Sequence, residues 1–273
     1  MTPEGDRALS EQFNTWKDIV IPGLENDKEF WSGKMRGLPL ERRDIFAFFR
    51  GTIVNKGGSS YSKGIRIKME AALRPHKEVV FSEQGSECNR QCYRDSMRKS
   101  VFCLCPRGWS PWTLRAYQVS PPSPSTPPAP TTAIRPFASQ HRARVTCVPF
   151  AGPHGSDPGP SPPTHPLSSR PQAMMVGCIP VVIADEIEFP YENTMDWTQL
   201  TVKIQETDAE RTYEILKAIP EETIRAKQAA IDQVWRTVAW QQPTSPGDAF
   251  HAVLRDLGRK RRNFKASSFT FWN

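Results

Sequence analysis

Three short runs in this chain, Ile45–Phe49 (IFAFF), Val101–Cys105 (VFCLC) and Ile179–Ala184 (IPVVIA), are apolar at every position. A strand with one wet face alternates apolar and polar residues. A strand apolar on both parities has to be covered on both faces, which is the condition of a parallel sheet packed between helices. Lys77–Phe81 (KEVVF) reads as a fourth strand. Between them, Ile65, Met69, Ala72 and Leu73 recur at helical spacing from Gly64 to Leu73, and Tyr93–Ser100 is compatible with a short helix. Gly177 suits a helix C-terminus. Thr207 and Glu210 have capping-box spacing for a helix on which Thr212, Ile215, Leu216 and Ile219 share a face. Pro220 ends that helix, and Glu221–Trp240 reads as another. The fold class is therefore α/β, a Rossmann-like parallel sheet.

Proline divides this pattern. Of 26 prolines more than half lie between Val119 and Gln172, a stretch with one acid, Asp157, and no apolar periodicity. Such a segment cannot bury enough surface to offset its ordering entropy and is expected to be a disordered insert. The net charge of +7 is also inflated there, by four arginines, so the remainder is only mildly basic. Arg259–Arg262 (RKRR) reads as a solvated tail, and no aromatic-interleaved basic motif points to nucleic acid. No run reaches the roughly 18 apolar residues of a membrane span, and the polar start MTPEGDRALSEQ has no signal-peptide core. Cys147 lies in the insert; the other five cysteines are odd in number, which excludes a complete disulfide framework and leaves the compartment open.

In doubly wound sheets ligands bind beyond the C-terminal strand ends. Two strands here end in Arg50–Gly51 and Arg107–Gly108. A guanidinium can pair two phosphate oxygens at once, and a glycine lets backbone approach a ligand. Thr113 and Arg115 then open a helix whose N-terminal amides favour an anion. Together these residues suggest a diphosphate site, against the plainer reading of surface arginines. Trp109 and Trp112 are candidates for stacking on a sugar or for core packing. Asp185, with Glu186 and Glu188, follows IPVVIA at its functional end and is a candidate for a sugar hydroxyl. Cys88, Cys92, Cys103 and Cys105 invite a zinc reading, but a buried strand favours cysteines as small apolar residues.

The ordered blocks KDIVIP (17–22), FFRG (48–51), VFCLCPRG (101–108), WSPWTLR (109–115), GCIPVVIAD (177–185) and FPY (189–191) resemble the signature of exostosin-family glycosyltransferases, WSPW being nearest the plant and algal cell-wall branch. The likeness covers residues 17 to 240 apart from the insert. It implies the C-terminal, donor-binding half of a GT-B fold and inverting transfer from a nucleoside diphosphate sugar, expected to be a uridine diphosphate sugar, to a glycan acceptor. It implies no metal or other cofactor, association with related transferases as homo- or hetero-oligomers, and a place on the lumenal face of the Golgi membrane; the charge pattern already argues against nucleic acid as a partner. Arg50, Gly51, Arg107, Gly108, Thr113, Arg115 and Gln118 would contact the donor, and Trp109, Trp112 and Asp185 the sugar or acceptor; no catalytic base is assigned.

Two departures matter. Gln118 stands where the family carries a glutamate, and an amide cannot act as a base. Only residues 1–43 would remain of the N-terminal domain and linker. The donor domain then comprises 44–118 and 173–240, parted by the insert 119–172, with a C-terminal helix and basic tail at 241–273. Excising the insert joins TLRAYQ to AMMVG in one helix, and its bounds fit an unspliced in-frame intron. A non-catalytic nucleotide-binding or interaction module is the alternative function.

Overall fold

Five parallel strands form one sheet in the order β2-β1-β3-β4-β5. They are β1 (Ile45–Arg50), β2 (Val79–Ser82), β3 (Ser100–Pro106), β4 (Ile179–Ile183) and β5 (Val202–Lys203). The computed structural model describes residues 18–23, 28–54, 61–83, 88–109 and 173–261. Phe48 pairs with Val80 on one side and Cys103 on the other, and Leu104 pairs with Val181. β3 and β4 are buried at every residue, as their unbroken apolar runs require.

Helices α1 (Lys28–Trp31), α2 (Ile65–Leu73), α3 (Arg90–Arg98), α4 (Trp197–Leu200), α5 (Thr212–Lys217), α6 (Glu221–Val234) and α7 (Ala249–Lys260) accompany the sheet. Consecutive residues of β1 show the two covered faces. Arg66 of α2 lies over the Phe49 ring at 5.4 Å, while Tyr93 of α3 meets Phe48 edge-on at 5.4 Å. The chain thus leaves β1 through α2 toward β2, then returns through α3 to β3 on the other side of β1. In doubly wound sheets such a reversal is where a ligand crevice forms, here at the C-terminal ends of β1 and β3. Among the described residues no helix is long and apolar enough to cross a membrane.

Several boundaries differ from the pattern-based expectation, each for a local reason. α3 starts at Arg90 because the Asn89 side chain accepts the Cys92 amide at 2.9 Å. The Thr207–Glu210 capping box does not form: Glu206–Arg211 is a 3-10 turn, and α5 begins at Thr212 without a side-chain cap. The helix expected over Glu221–Trp240 ends at Val234 and tightens into a 3-10 turn, Trp235–Val238. Gly177 does close a turn, at φ 72° after Met174–Val176.

The cysteines depart in part from the sequence reading. Cys88–Cys92 and Cys103–Cys178 are disulfides, and Cys105 is buried, its thiol donating to Cys103 O at 3.3 Å. The zinc set is therefore excluded by covalent pairing, and Cys103 is a cross-link between β3 and the start of β4 rather than a small apolar filler. Residues before position 44 belong to the same core, through Phe30 and Met35. Arg43 ties them down, donating to the carbonyls of Leu38, Arg98, Ser100 and Val176 at 2.7–3.2 Å.

Candidate functional site

The crevice is built from two strand exits and the helix that laces them together. Arg50 is the last residue of β1, and the Gly51 amide continues the ladder to Ser82 O at 3.1 Å. Arg107 follows β3 directly, its amide bonded to Ile183 O at 3.0 Å. β1 and β3 are neighbours, about 4.8 Å apart, which puts both exits at the same end of adjacent strands. Their side chains are held toward different neighbours. Arg50 Nε donates to Ser82 Oγ of β2 at 3.0 Å, whereas Arg107 turns toward the β5 side.

Arg107 is the more deeply set of the two, with 8% of its side chain exposed. Its Nη1 donates to Glu206 Oε1 at 2.9 Å and its Nη2 to Trp109 O at 3.3 Å. Nε has no hydrogen-bond partner among the described residues. An unmet buried donor costs about 1–3 kcal/mol, more on a charged group, so an acceptor arriving there would be strongly favoured. Gly108 beside it is not left-handed, and a Cβ there would meet Arg66 Nη2 at an ordinary 3.5 Å. Among the described residues neither torsion nor packing accounts for that glycine.

Arg66, which the sequence reading passed over, joins the two loops. Its Nη1 donates to Thr52 O (2.7 Å) and Tyr61 Oη (2.6 Å), Nε to Arg107 O (2.9 Å) and Nη2 to Pro106 O (3.1 Å). Tyr61 in turn meets the Trp109 indole edge-on at 5.3 Å, and Trp109 is 60% exposed. The indole face at the mouth of the crevice is thus braced from the protein side and open outward, the arrangement a stacking ligand needs.

Glu206 was also missed. Its Oε1 accepts from Arg107 and from the Asp185 amide at 3.3 Å, and its Oε2 accepts from Lys63 Nζ at 3.0 Å. Burial alone would raise its pKa, but the bonds from Lys63, Arg107 and the Asp185 amide outweigh it and hold the carboxyl below its usual range. Asp185 reciprocates, its Oδ1 accepting the Glu206 amide at 3.0 Å. Lys63 reaches Glu206 from a strained turn: Ser62 and Lys63 sit at φ 53° and 51°, costing about 1 kcal/mol or more each in a non-glycine residue.

Trp112, Thr113, Arg115 and Gln118 lie outside the described residues. A separate cavity of about 380 Å³ is lined by Tyr191, Asp196, Gln233, Asp256 and Arg259, among others. None of the crevice residues lines it. Among these groups the missed arginine had a readable signal, a cation set within the Ile65, Met69 and Leu73 stripe; Glu206 had none, since Arg107 is 99 residues away.

Residues 4–119 and 161–219 match the model of the Exostosin GT47 domain. A probable glucuronosyltransferase of Oryza sativa subsp. japonica is 27% identical over 228 residues, 81% of this chain and 41% of its own length. A second rice protein of the same description is 26% identical over 248 residues, 89% of this chain and 44% of its own. A probable beta-1,4-xylosyltransferase of Arabidopsis thaliana is 28% identical over 224 residues, 80% and 40% of the two lengths. The chain spans about two fifths of the length of these relatives.

Proposed function

This chain belongs to the exostosin GT47 family, and on that premise we propose that it binds the donor of a glycosyltransferase reaction, in which a sugar passes from a uridine diphosphate carrier to a cell-wall glycan with inversion. The observation that carries this reading is Arg107, a buried guanidinium with one unmet donor at the crevice where the strand order reverses. As the glycosidic bond to the carrier breaks, negative charge grows on the diphosphate. Arg107 and Arg50 would stabilise that charge from two adjacent strand ends, the part a divalent cation plays elsewhere, so transfer is proposed to need no metal. Thr113 and Arg115 would add contacts from the following helix, and Trp109 would offer its open face to base or sugar.

Gln118 would hydrogen-bond a donor hydroxyl through its amide without taking a proton. The base that activates the acceptor is assigned to no residue. The same reading puts the protein in the Golgi lumen, and two disulfides support an oxidising compartment.

Titrating uridine diphosphate into the chain by calorimetry tests the site. Arg107→Ala should weaken binding about 10- to 100-fold, the range expected for a charged hydrogen bond. Unchanged affinity would remove the cradle. Binding that persists with chelator present, together with sugar transfer to a glycan acceptor, supports the enzyme; binding without any transfer favours the module reading that Gln118 motivates.

A further inference from the structure

We infer that Glu206 is a positioning residue for the donor diphosphate, acting through Arg107; the inference rests on the assignment of Arg107 to that diphosphate. A long side chain at a strand exit is ordinarily free to swing, and a guanidinium must present one particular edge to take two phosphate oxygens. Glu206 removes that freedom. It engages Nη1 of Arg107, at 2.9 Å, and Trp109 O takes one hydrogen of Nη2, so the guanidinium is held with Nε as its buried donor without a partner among the described residues.

Glu206 is itself fixed by three further bonds, two to its carboxylate and one from its backbone. The Asp185 amide donates to Oε1, Lys63 donates to Oε2, and the Glu206 amide is held by Asp185 Oδ1. Lys63 matters for charge as well as geometry. A carboxylate paired with Arg107 alone would neutralise the cation meant for the ligand. With Lys63 on its second oxygen, the trio of Arg107, Lys63 and Glu206 carries one net positive charge. The chain adopts consecutive left-handed residues, Ser62 and Lys63, in the turn that brings the ammonium there. The Arg107 and Glu206 side chains are 8% and 11% exposed, so that pair is sheltered from water, while Lys63 reaches it from the surface.

The test uses the full chain and uridine diphosphate, with binding and thermal unfolding measured on the same samples. Glu206→Ala should weaken affinity about tenfold, because Arg107 loses its aim. Glu206→Gln should recover most of that loss, since its amide oxygen still accepts from Nη1. In an Arg107→Ala background, Glu206→Ala should add almost nothing, as expected of a residue that acts only through Arg107. If Glu206→Ala does not fold, Glu206→Asp serves: the backbone bond to Asp185 is kept while the carboxylate is withdrawn by one methylene, and affinity should again fall. A lower melting temperature with unaltered affinity overturns the inference by making Glu206 merely structural. Tighter binding also overturns it, since the carboxylate would then be competing with phosphate. If instead Arg107→Ala itself binds normally, the cradle fails and not the brace alone.

Discussion

Arg66 is the residue on which the geometry of the crevice turns. It is 4% exposed and donates to three backbone carbonyls and one hydroxyl drawn from both strand exits. Arg66→Met keeps the bulk of the side-chain stem and removes every donor, leaving those acceptors poorly served. We expect a loss of about 3 kcal/mol or more in urea unfolding, because bonds to a charged donor are worth roughly 1.5–3 kcal/mol apiece and do not add fully. A loss under about 1 kcal/mol would show that the loops hold their shape without it. How far such residues can be read in advance depends on the range of their partners. The positions of Arg50 and Arg107 are legible because one ends its strand and the other follows its strand at once, and strand direction tells which end of a doubly wound sheet binds ligands. Arg66 is half legible, as a charge misplaced in an apolar stripe. Glu206 is not legible, because its meaning lies in Arg107 and Lys63, which the fold brings to it from 99 and 143 residues away.

At the level of elements, apolar runs proved sufficient for β1, β3 and β4, since nothing but a doubly covered strand accommodates them. Helix starts were harder. Thr207 and Glu210 have the right spacing for a cap, but the preceding residue is drawn to Asp185 by its amide and to Arg107 by its carboxylate, which tightens the turn to 3-10. α7 is the counter-case, where local chemistry prevails: Asp248, fully buried, accepts the amides of His251 at 3.2 Å and Ser245 at 3.0 Å and starts the helix. Within α7, Asp256 is buried beside the cavity at Tyr191, and burial raises its pKa against the opposing charges of Lys260 and Arg259. The folded state therefore binds that proton more tightly than the unfolded state. Stability linked to Asp256 is complete below the unfolded value, about 4, and is lost as pH rises through the folded one. Asp256→Asn should accordingly raise stability at pH 7, by on the order of 1 kcal/mol. The gain should vanish as melting curves are taken down to about pH 3.5. A variant less stable than the parent at pH 7 would mean that the carboxylate has a partner worth more than its burial costs.

For the molecule as a whole, the connection from β3 to β4 is the unusual feature. Two adjacent parallel strands need a crossover of about a dozen residues, yet here the link runs through the proline-rich stretch. Its far end is firmly built: Ala173, Met174, Met175 and Val176 are each at most 1% exposed. Arg36 donates to Met174 O, and Arg43 to Val176 O. Joined to residues 113–118, this turn would complete a helix of about ten residues, roughly 15 Å long, close to the ~16 Å of β4 that it must run back along. Removing residues 119–172 shortens the connection from about 72 residues to about 18. For a flexible loop that change is worth about 1 kcal/mol of closure entropy. The disulfide Cys103–Cys178 alters where the gain appears, because it already holds the two ends together in the unfolded chain. With the disulfide intact, the deletion variant should unfold within a few tenths of a kcal/mol of the parent; with the disulfide reduced, it should be the more stable by about 1 kcal/mol. It should also bind uridine diphosphate more tightly, since the excision would set Thr113, Arg115 and Gln118 on one continuous helix. Equal stability under reducing conditions, or weaker nucleotide binding, would mean that the insert has become part of how this protein works, and a transcript that always retains it would agree.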